Sequence, residues 1–279
     1  MTLAPVSLPS SAPEHAVSRL RAVRLAASAK PYLARGSGLV RCAGCRLVAS
    51  HCVCAWRPAV DTRAGVCLIM GDIEALKPTN TGWLVADVVA DTWAFGWSRT
   101  AVDPGLLALL ADPQWQPYVV FPGEFVSPER VVTDLNAVED HAPRKRPLFV
   151  LLDGTWSEAR KMFRKSPYLD HLPVLSLHPE QVVSNYRLRR SARESHFCTS
   201  EVAALCLALA GETLAAQSLA AWLDVFTTHY LSAKRSVVLD REDEPHQRLS
   251  ALAAQGHDTS AKLSGVAWEA SQTTPGDEA

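Results

Sequence analysis

The segment Pro147 to Leu152 reads Pro-Leu-Phe-Val-Leu-Leu and is closed at once by Asp153-Gly154. A continuous apolar run of this length, bounded by turn residues, fits a strand buried on both faces, which needs a sheet covered on either side. Gly65 to Met70 (closed by Gly71-Asp72) and Tyr118 to Phe121 (closed by Pro122-Gly123) have the same form, and Leu172 to Leu177 reads as a fourth strand. Helical signals lie around and between them. An Ala/Arg-rich stretch over 14–33 fits a helix. Asn80 and Thr81 predict the cap of a helix over 82–90, and Asp103 with Pro104 opens one over 104–110. A helix from Thr155 stops before Pro167, Thr199 or Ser200 caps one over 201–210 closed by Gly211, and a long one covers 212–233. The expected fold class is α/β, a mostly parallel sheet flanked by helices with ligands at the carboxyl ends of the strands.

Composition excludes two other classes. With 48% hydrophobic and 20% charged residues, the chain is not disordered as a whole. The longest clean apolar run, Val202 to Ala210, is about half of what a membrane span needs, so no membrane association is expected. We divide the chain into a basic arm over 1–35 whose first 13 residues should be disordered, a cysteine knuckle over 36–60, an α/β domain over 61–240, and a largely disordered tail over 241–279.

Net charge is −1, but as a cancellation between blocks. Residues 1–60 hold eight Lys/Arg against one acid, and 141–200 hold eleven against five; the segments 61–140 and 201–279 carry the opposing acids. Basic segments brought together would present a patch to phosphates; lying apart, they would be solvated faces. The first 35 residues, with five basic residues and one acid, read as a basic arm in a reducing cytoplasm in preference to an organellar transit peptide.

Seven cysteines are no secreted disulfide ladder, and four crowd into thirteen residues as Cys42-x2-Cys45-x6-Cys52-x-Cys54. Four thiolates within reach of one another suit a structural zinc ion, which takes soft ligands in a tetrahedron. His51 is an alternative ligand, and four reduced thiols in a mobile loop are the bland reading. Cys67, Cys198 and Cys206 sit in strand or helix patterns as small core residues.

Asp153-Gly154-Thr155-Trp156 follows the clearest strand directly and opens a helix. A carboxylate and a hydroxyl are thereby placed at a strand's carboxyl end, beside unpaired helix N–H groups. Asp153 as an ordinary helix cap, and Trp156, Ala159 and Phe163 as one core stripe, explain the same residues without function. The other face of this helix carries Arg160, Lys161, Arg164 and Lys165, which suit phosphate contacts better than internal ion pairs. Downstream, Tyr186 lies close to Arg189 and Arg190, a mix seen where nucleobases stack and also in solvated loops.

The motifs fall in a specific order: Cys42–Cys54, Lys77-Pro-Thr-Asn-Thr-Gly-Trp-Leu84, Phe121-Pro-Gly-Glu124, Asp153-Gly-Thr-Trp156 with Ala159-Arg-Lys-Met162, Ser184-x-Tyr186-x-Leu-Arg189, and Thr199-x-Glu201. In this order they resemble the DTW-domain family, the tRNA-uridine aminocarboxypropyltransferases, over roughly residues 40–235. The resemblance implies a core related to the SPOUT class, with S-adenosylmethionine bound at a knotted crossover. It also implies transfer of the 3-amino-3-carboxypropyl group to N3 of a tRNA uridine, with methylthioadenosine leaving. SPOUT-type folds often form homodimers.

On that reading Asp153, Thr155 and Trp156 are the catalytic candidates, and Pro122, Glu124, Asp153, Ser184, Thr199 and Glu201 the cofactor-binding ones. The amides at the 199–201 helix start would hold the cofactor's carboxylate, and Glu201 its ammonium. Arg160, Lys161, Arg164, Lys165, Tyr186, Arg189 and Arg190 would meet RNA. The rival readings are an RNA methyltransferase on the same scaffold and a non-catalytic zinc-ribbon RNA-binding protein.

Overall fold

A computed structural model describes residues 14–29, 32, 38–135, 145–177 and 197–256. Six strands form one sheet: β1 (Gly65–Met70), β2 (Thr92–Gly96), β3 (Trp115–Val120), β4 (Val131–Val132), β5 (Arg146–Asp153) and β6 (Val174–Leu175). Every pairing is parallel and the strand order is β2-β1-β5-β3-β6-β4. Helices α1 (Ala16–Ala26), α2 (Gly82–Val88), α3 (Pro104–Ala111), α4 (Trp156–Arg164), α5 (Thr199–Leu209) and α6 (Thr213–Arg235) surround it, and α7 covers 244–256. The expected α/β class is therefore met. The connection between β6 and α5, and with it the expected knotted crossover, lies mostly outside the described residues, as do the first 13.

The apolar strands are continuous because each face closes on a different set of helices. Val66, Leu68, Met70, Phe149 and Leu151 pack with Trp83, Leu84, Trp222 and Phe226 of α2 and α6. The alternate residues Cys67, Ile69, Leu148 and Val150 pack with Leu106, Leu109, Met162 and Phe163 of α3 and α4. Cys206 is likewise core, whereas Cys198 is only partly buried, at the start of α5.

Several boundaries differ from the sequence reading for identifiable reasons. β3 begins three residues early, at Trp115, and runs through Pro117. Within β3 only Val119 and Val120 pair with β6, so at Pro117 the β6 side of the strand is unpaired and proline's missing N–H costs no ladder bond there. β2, at the sheet's edge, is half-buried and lacks an apolar run, and the fourth expected strand contracts to Val174–Leu175. α1 is shorter than 14–33, and α5 begins two residues before Glu201. The segment expected to open a disordered tail forms α7, which buries Leu249 and Leu252.

The knuckle docks on this body through Leu47 and Val53, which join the core, and through polar contacts. Arg46, left-handed at φ 66°, turns the chain after Cys45, and its guanidinium is buried over the Trp83 ring at 4.0 Å. It donates to the carbonyls of Lys77 (2.8 Å) and Asn80 (3.1 Å). On the far side, His229 of α6 donates from Nδ1 to the His51 carbonyl at 3.0 Å, and its Nε2 meets His246 of α7 at 2.9 Å. Burial lowers the His229 pKa to about 4, so the ring is neutral in this role at physiological pH.

Replacing Arg46 with Met keeps the apolar stem but leaves two carbonyls without their donor. The expected result is a loss of at least about 2 kcal/mol in urea unfolding. An unchanged midpoint would mean the knuckle is held by its apolar contacts alone.

Candidate active site at the strand ends

Asp153 is the last residue of β5, beside the end of β1, and only 4% of it is exposed. Its Oδ2 accepts from Asn80 Nδ2 at 2.7 Å and its Oδ1 accepts from the Thr199 hydroxyl at 2.7 Å. Asn80 Oδ1 takes the Trp83 N–H at 3.1 Å, which fixes the amide's orientation and caps α2 with the same side chain. Gly82 is required here, because a Cβ at that position would lie 2.7 Å from Asp153 Oδ2. The carboxylate thus joins β5, the loop before α2, and the start of α5. It does not cap α4, so the ordinary cap reading of Asp153 falls.

That cap is Thr155. Its hydroxyl receives the Glu158 N–H at 3.3 Å, while Glu158 Oε2 takes the Thr155 N–H at 2.8 Å, a reciprocal capping box. Ala159 and Phe163 of the expected stripe are buried, but Trp156 is 41% exposed. Its ring stacks on Phe121 at 5.4 Å and 13°. Arg160, Lys161, Arg164 and Lys165 are all exposed on α4, as the sequence suggested.

Pro122 and Glu124 lie in the turn that follows β3, with Glu124 exposed. The Gly123 N–H in the same turn donates to Ser176 Oγ at 3.0 Å, joining the ends of β3 and β6. Because α5 starts at Thr199, that hydroxyl is turned to Asp153 and does not cap the helix. Glu201 accepts the Cys198 N–H at 2.7 Å, and the Ser200 N–H donates to Thr81 Oγ1 at 3.4 Å. Of the amides expected to form a cradle over 199–201, the Ser200 N–H is therefore engaged within the chain, and the Glu201 carboxylate expected to meet an ammonium is bonded to the Cys198 N–H. Ser184, Tyr186, Arg189 and Arg190 lie outside the described residues.

Sequence reasoning passed over two residues here. Asn80 is read as a cap and as part of the Lys77–Leu84 motif but not as a site residue, and no local pattern marks its bond to a residue 73 positions away. Glu74, fully buried after β1 and paired with Lys77, gave no signal beyond lying next to the Gly71-Asp72 strand stop.

The cysteine cluster lies in the segment before β1. The sulfurs of Cys42, Cys45, Cys52 and Cys54 all lie within 4.8 Å of one another. Individual separations are 3.5 Å (Cys42–Cys52), 3.7 Å (Cys42–Cys54) and 3.9 Å (Cys45–Cys52). Four sulfurs at the corners of a tetrahedron about 2.3 Å from a zinc ion would be about 3.8 Å apart, so the donor set fits. Without a cation one thiol ionises at the expense of its neighbours. The Cys54 thiol's hydrogen bond holds Cys45 down at about 5; burial pushes Cys52 up to about 11, and the hydrogen bond it gives to Cys45, with burial, pushes Cys54 up as well. A divalent ion reverses that balance. Arg57 donates to Cys54 Sγ at 3.7 Å, an added positive charge against the thiolates.

A parallel sheet with polar side chains gathered at its carboxyl ends defines an α/β protein of the type that binds ligands at that edge. A family model for the DTW domain matches residues 39–231. The chain belongs to the DTW-domain family, the family of tRNA-uridine aminocarboxypropyltransferases. Membership supports an enzyme role in tRNA modification, with tRNA as the macromolecular partner. No solved structure matches the chain. Among the described residues, no helix is long and apolar enough to cross a membrane.

Elemental analysis of the purified chain is expected to find about one bound metal ion per chain. A chelator, or Cys52→Ser, should then lower the thermal midpoint together with the metal content. A metal-free chain whose midpoint ignores the chelator would reduce the cluster to packed thiols.

Proposed function

We propose that the chain transfers the 3-amino-3-carboxypropyl group of S-adenosylmethionine to N3 of a uridine in tRNA. The observation that carries this reading is the clamped Asp153 carboxylate. It lies at the strand end that opens the family motif, tied to Asn80 and Thr199 from two other motif segments.

In the transfer, uracil N3 forms a bond to the γ-carbon of the donor. The bond from that carbon to the sulfonium breaks, its electrons remain on sulfur, and methylthioadenosine leaves. The leaving thioether needs no acid. The difficulty lies in the acceptor, because N3 carries a proton and is weakly nucleophilic. Asp153 takes the N3 proton as the N3–carbon bond forms, or orients the uracil while that proton leaves to solvent. Asn80 and Thr199 hold its carboxyl group in place for that role. In-line positioning of the two reactants supplies much of the remaining acceleration.

Thr155 holds the α4 start in place, and Trp156 bounds the pocket on the β3 side. Pro122, Glu124, Thr199 and Glu201, together with Ser184, are assigned to the donor. Arg160, Lys161, Arg164 and Lys165, with Tyr186, Arg189 and Arg190, meet the RNA. Zinc at the four cysteines serves structure: it would cross-link the knuckle that places Arg46 against the Lys77–Asn80 loop. We assign residues 61–240 to catalysis, 36–60 to the knuckle and 1–35 to an RNA-facing arm, and we expect a cytoplasmic enzyme able to form homodimers.

The test is incubation of the purified chain with unmodified tRNA transcripts and S-adenosylmethionine, followed by nucleoside mass spectrometry. A uridine bearing the carboxypropyl group is expected. Asp153→Asn should slow its formation at least about 100-fold while tRNA affinity and the thermal midpoint hold. Normal turnover by that variant would remove Asp153 from the chemistry.

A further inference from the structure

Helix α1 precedes the stretch that the family model matches, yet it is built into the body of the chain. Its cap is His15, whose Nδ1 accepts the Ser18 N–H at 3.1 Å and whose ring meets Trp83 edge-on at 4.5 Å. Val17 is fully buried in the core cluster that holds Trp83 and Trp222, and Leu20 packs against that cluster. One face of the helix is thereby fixed, and its next turn brings two guanidiniums onto the loop that leads from β1 to Asn80.

The Arg21 guanidinium donates to the Leu76 carbonyl at 2.9 Å and reaches the Ala75 carbonyl at 3.5 Å. Arg24 pairs with Asp72, an exposed partner that adds little. Ala75 and Leu76 are buried, so their carbonyls need donors from within the protein. The loop itself supplies few, because it holds one short turn, Glu74–Leu76, which the Lys77 N–H closes on the Glu74 carbonyl. The next carbonyls go to side chains from elsewhere: Leu76 to Arg21 of α1, and Lys77 and Asn80 to Arg46 of the knuckle. Two guanidiniums from separate segments thus hold successive carbonyls of one loop.

Both ends of that loop meet Asp153. The Gly71 N–H donates to the Asp153 carbonyl at 2.8 Å, and Asn80 Nδ2 donates to its carboxylate at 2.7 Å. We propose that α1 is a strap across this loop, and that Arg21 is a positioning residue for Asp153, acting through the Leu76 carbonyl and Asn80. Within the arm assigned to RNA, Arg19 stays exposed while Arg21 is turned onto the chain. The inference rests on the part given to Asp153 in the proposed reaction.

The test compares full-length wild type, Arg21→Met and Arg21→Lys in steady-state transfer to tRNA and in hydrogen exchange over residues 72–80. Arg21→Met keeps the apolar stem and removes the donor. It should lower kcat about 10- to 100-fold, the cost of a small misplacement of a reacting group, with KM for tRNA held within about 2-fold. Amides over 76–80 should exchange faster in that variant. Arg21→Lys, which keeps a donor for the Leu76 carbonyl, should recover most of both. If Arg21→Met does not fold, Arg21→Gln, too short to reach the loop, takes its place with the same expected results. A raised KM for tRNA at unchanged kcat would make Arg21 an RNA contact and overturn the proposal. Faster exchange with both kinetic constants unchanged would make it a residue of stability alone and overturn it as well. If the wild type transfers no carboxypropyl group, the reaction assignment fails and exchange decides the strap. Faster exchange that lysine reverses would keep it, and unchanged exchange would remove it.

Discussion

A carboxylate taken out of water at the end of a central strand has to find hydrogen-bond donors within the protein, and Asp153 finds them on two segments remote in sequence. Asn80 reaches it from the loop before α2 and Thr199 from the start of α5. Each donor is itself constrained. Asn80 is held by its bond to Trp83 and by Arg46 on its carbonyl, and Thr199 is fixed by the first turn of α5. The position of the carboxylate is therefore determined by three elements at once. Glycine at 82 is what lets α2 begin close enough for this to happen.

The same chain of contacts explains why a cysteine knuckle outside the sheet matters to its edge. Arg46 follows Cys45 directly, and its guanidinium grips the carbonyls on both sides of the Lys77–Asn80 turn. Ordering the knuckle orders Arg46, and through Asn80 it orders Asp153. The knuckle thus acts through position and does not need to touch a substrate. Around the carboxylate, the parallel sheet gathers the turn after β3, the Asp153 turn and the start of α5 on one edge. The Phe121 stack and the cations of α4 flank that edge.

Much of this was legible in the sequence because it is local. The strand Pro147–Leu152 declared itself by an unbroken apolar run, and the four cysteines by spacing. The start of α4 was visible from the turn after β5, although its cap proved to be Thr155 and not Asp153. What stayed hidden depends on distant partners. Asn80 looked like a cap and is one, but its bond to Asp153 becomes visible only when β1 and β5 pair. Pro117 concealed the start of β3 because the missing β6 neighbour that excuses it is a property of the sheet. Trp156 fitted the core stripe of α4 by periodicity. Phe121 takes the packing position beneath it, and the tryptophan stands at the surface. The helix over 244–256 was read as part of the tail; Leu249 and Leu252 join it to the core, and His246 meets His229 of α6.

The central claim is that this edge of the sheet brings a tRNA uridine and a sulfonium donor together for transfer of the larger substituent. The most direct test uses S-adenosylmethionine labelled in two separate preparations, one in the methyl carbon and one in the carboxypropyl carbons, with unmodified tRNA and the purified chain. The account predicts carboxypropyl label in tRNA, methylthioadenosine released in equal amount, and no methyl label in the nucleic acid. Methyl label in tRNA would keep the fold and contradict the reaction, and neither label across a varied tRNA pool would contradict catalysis itself.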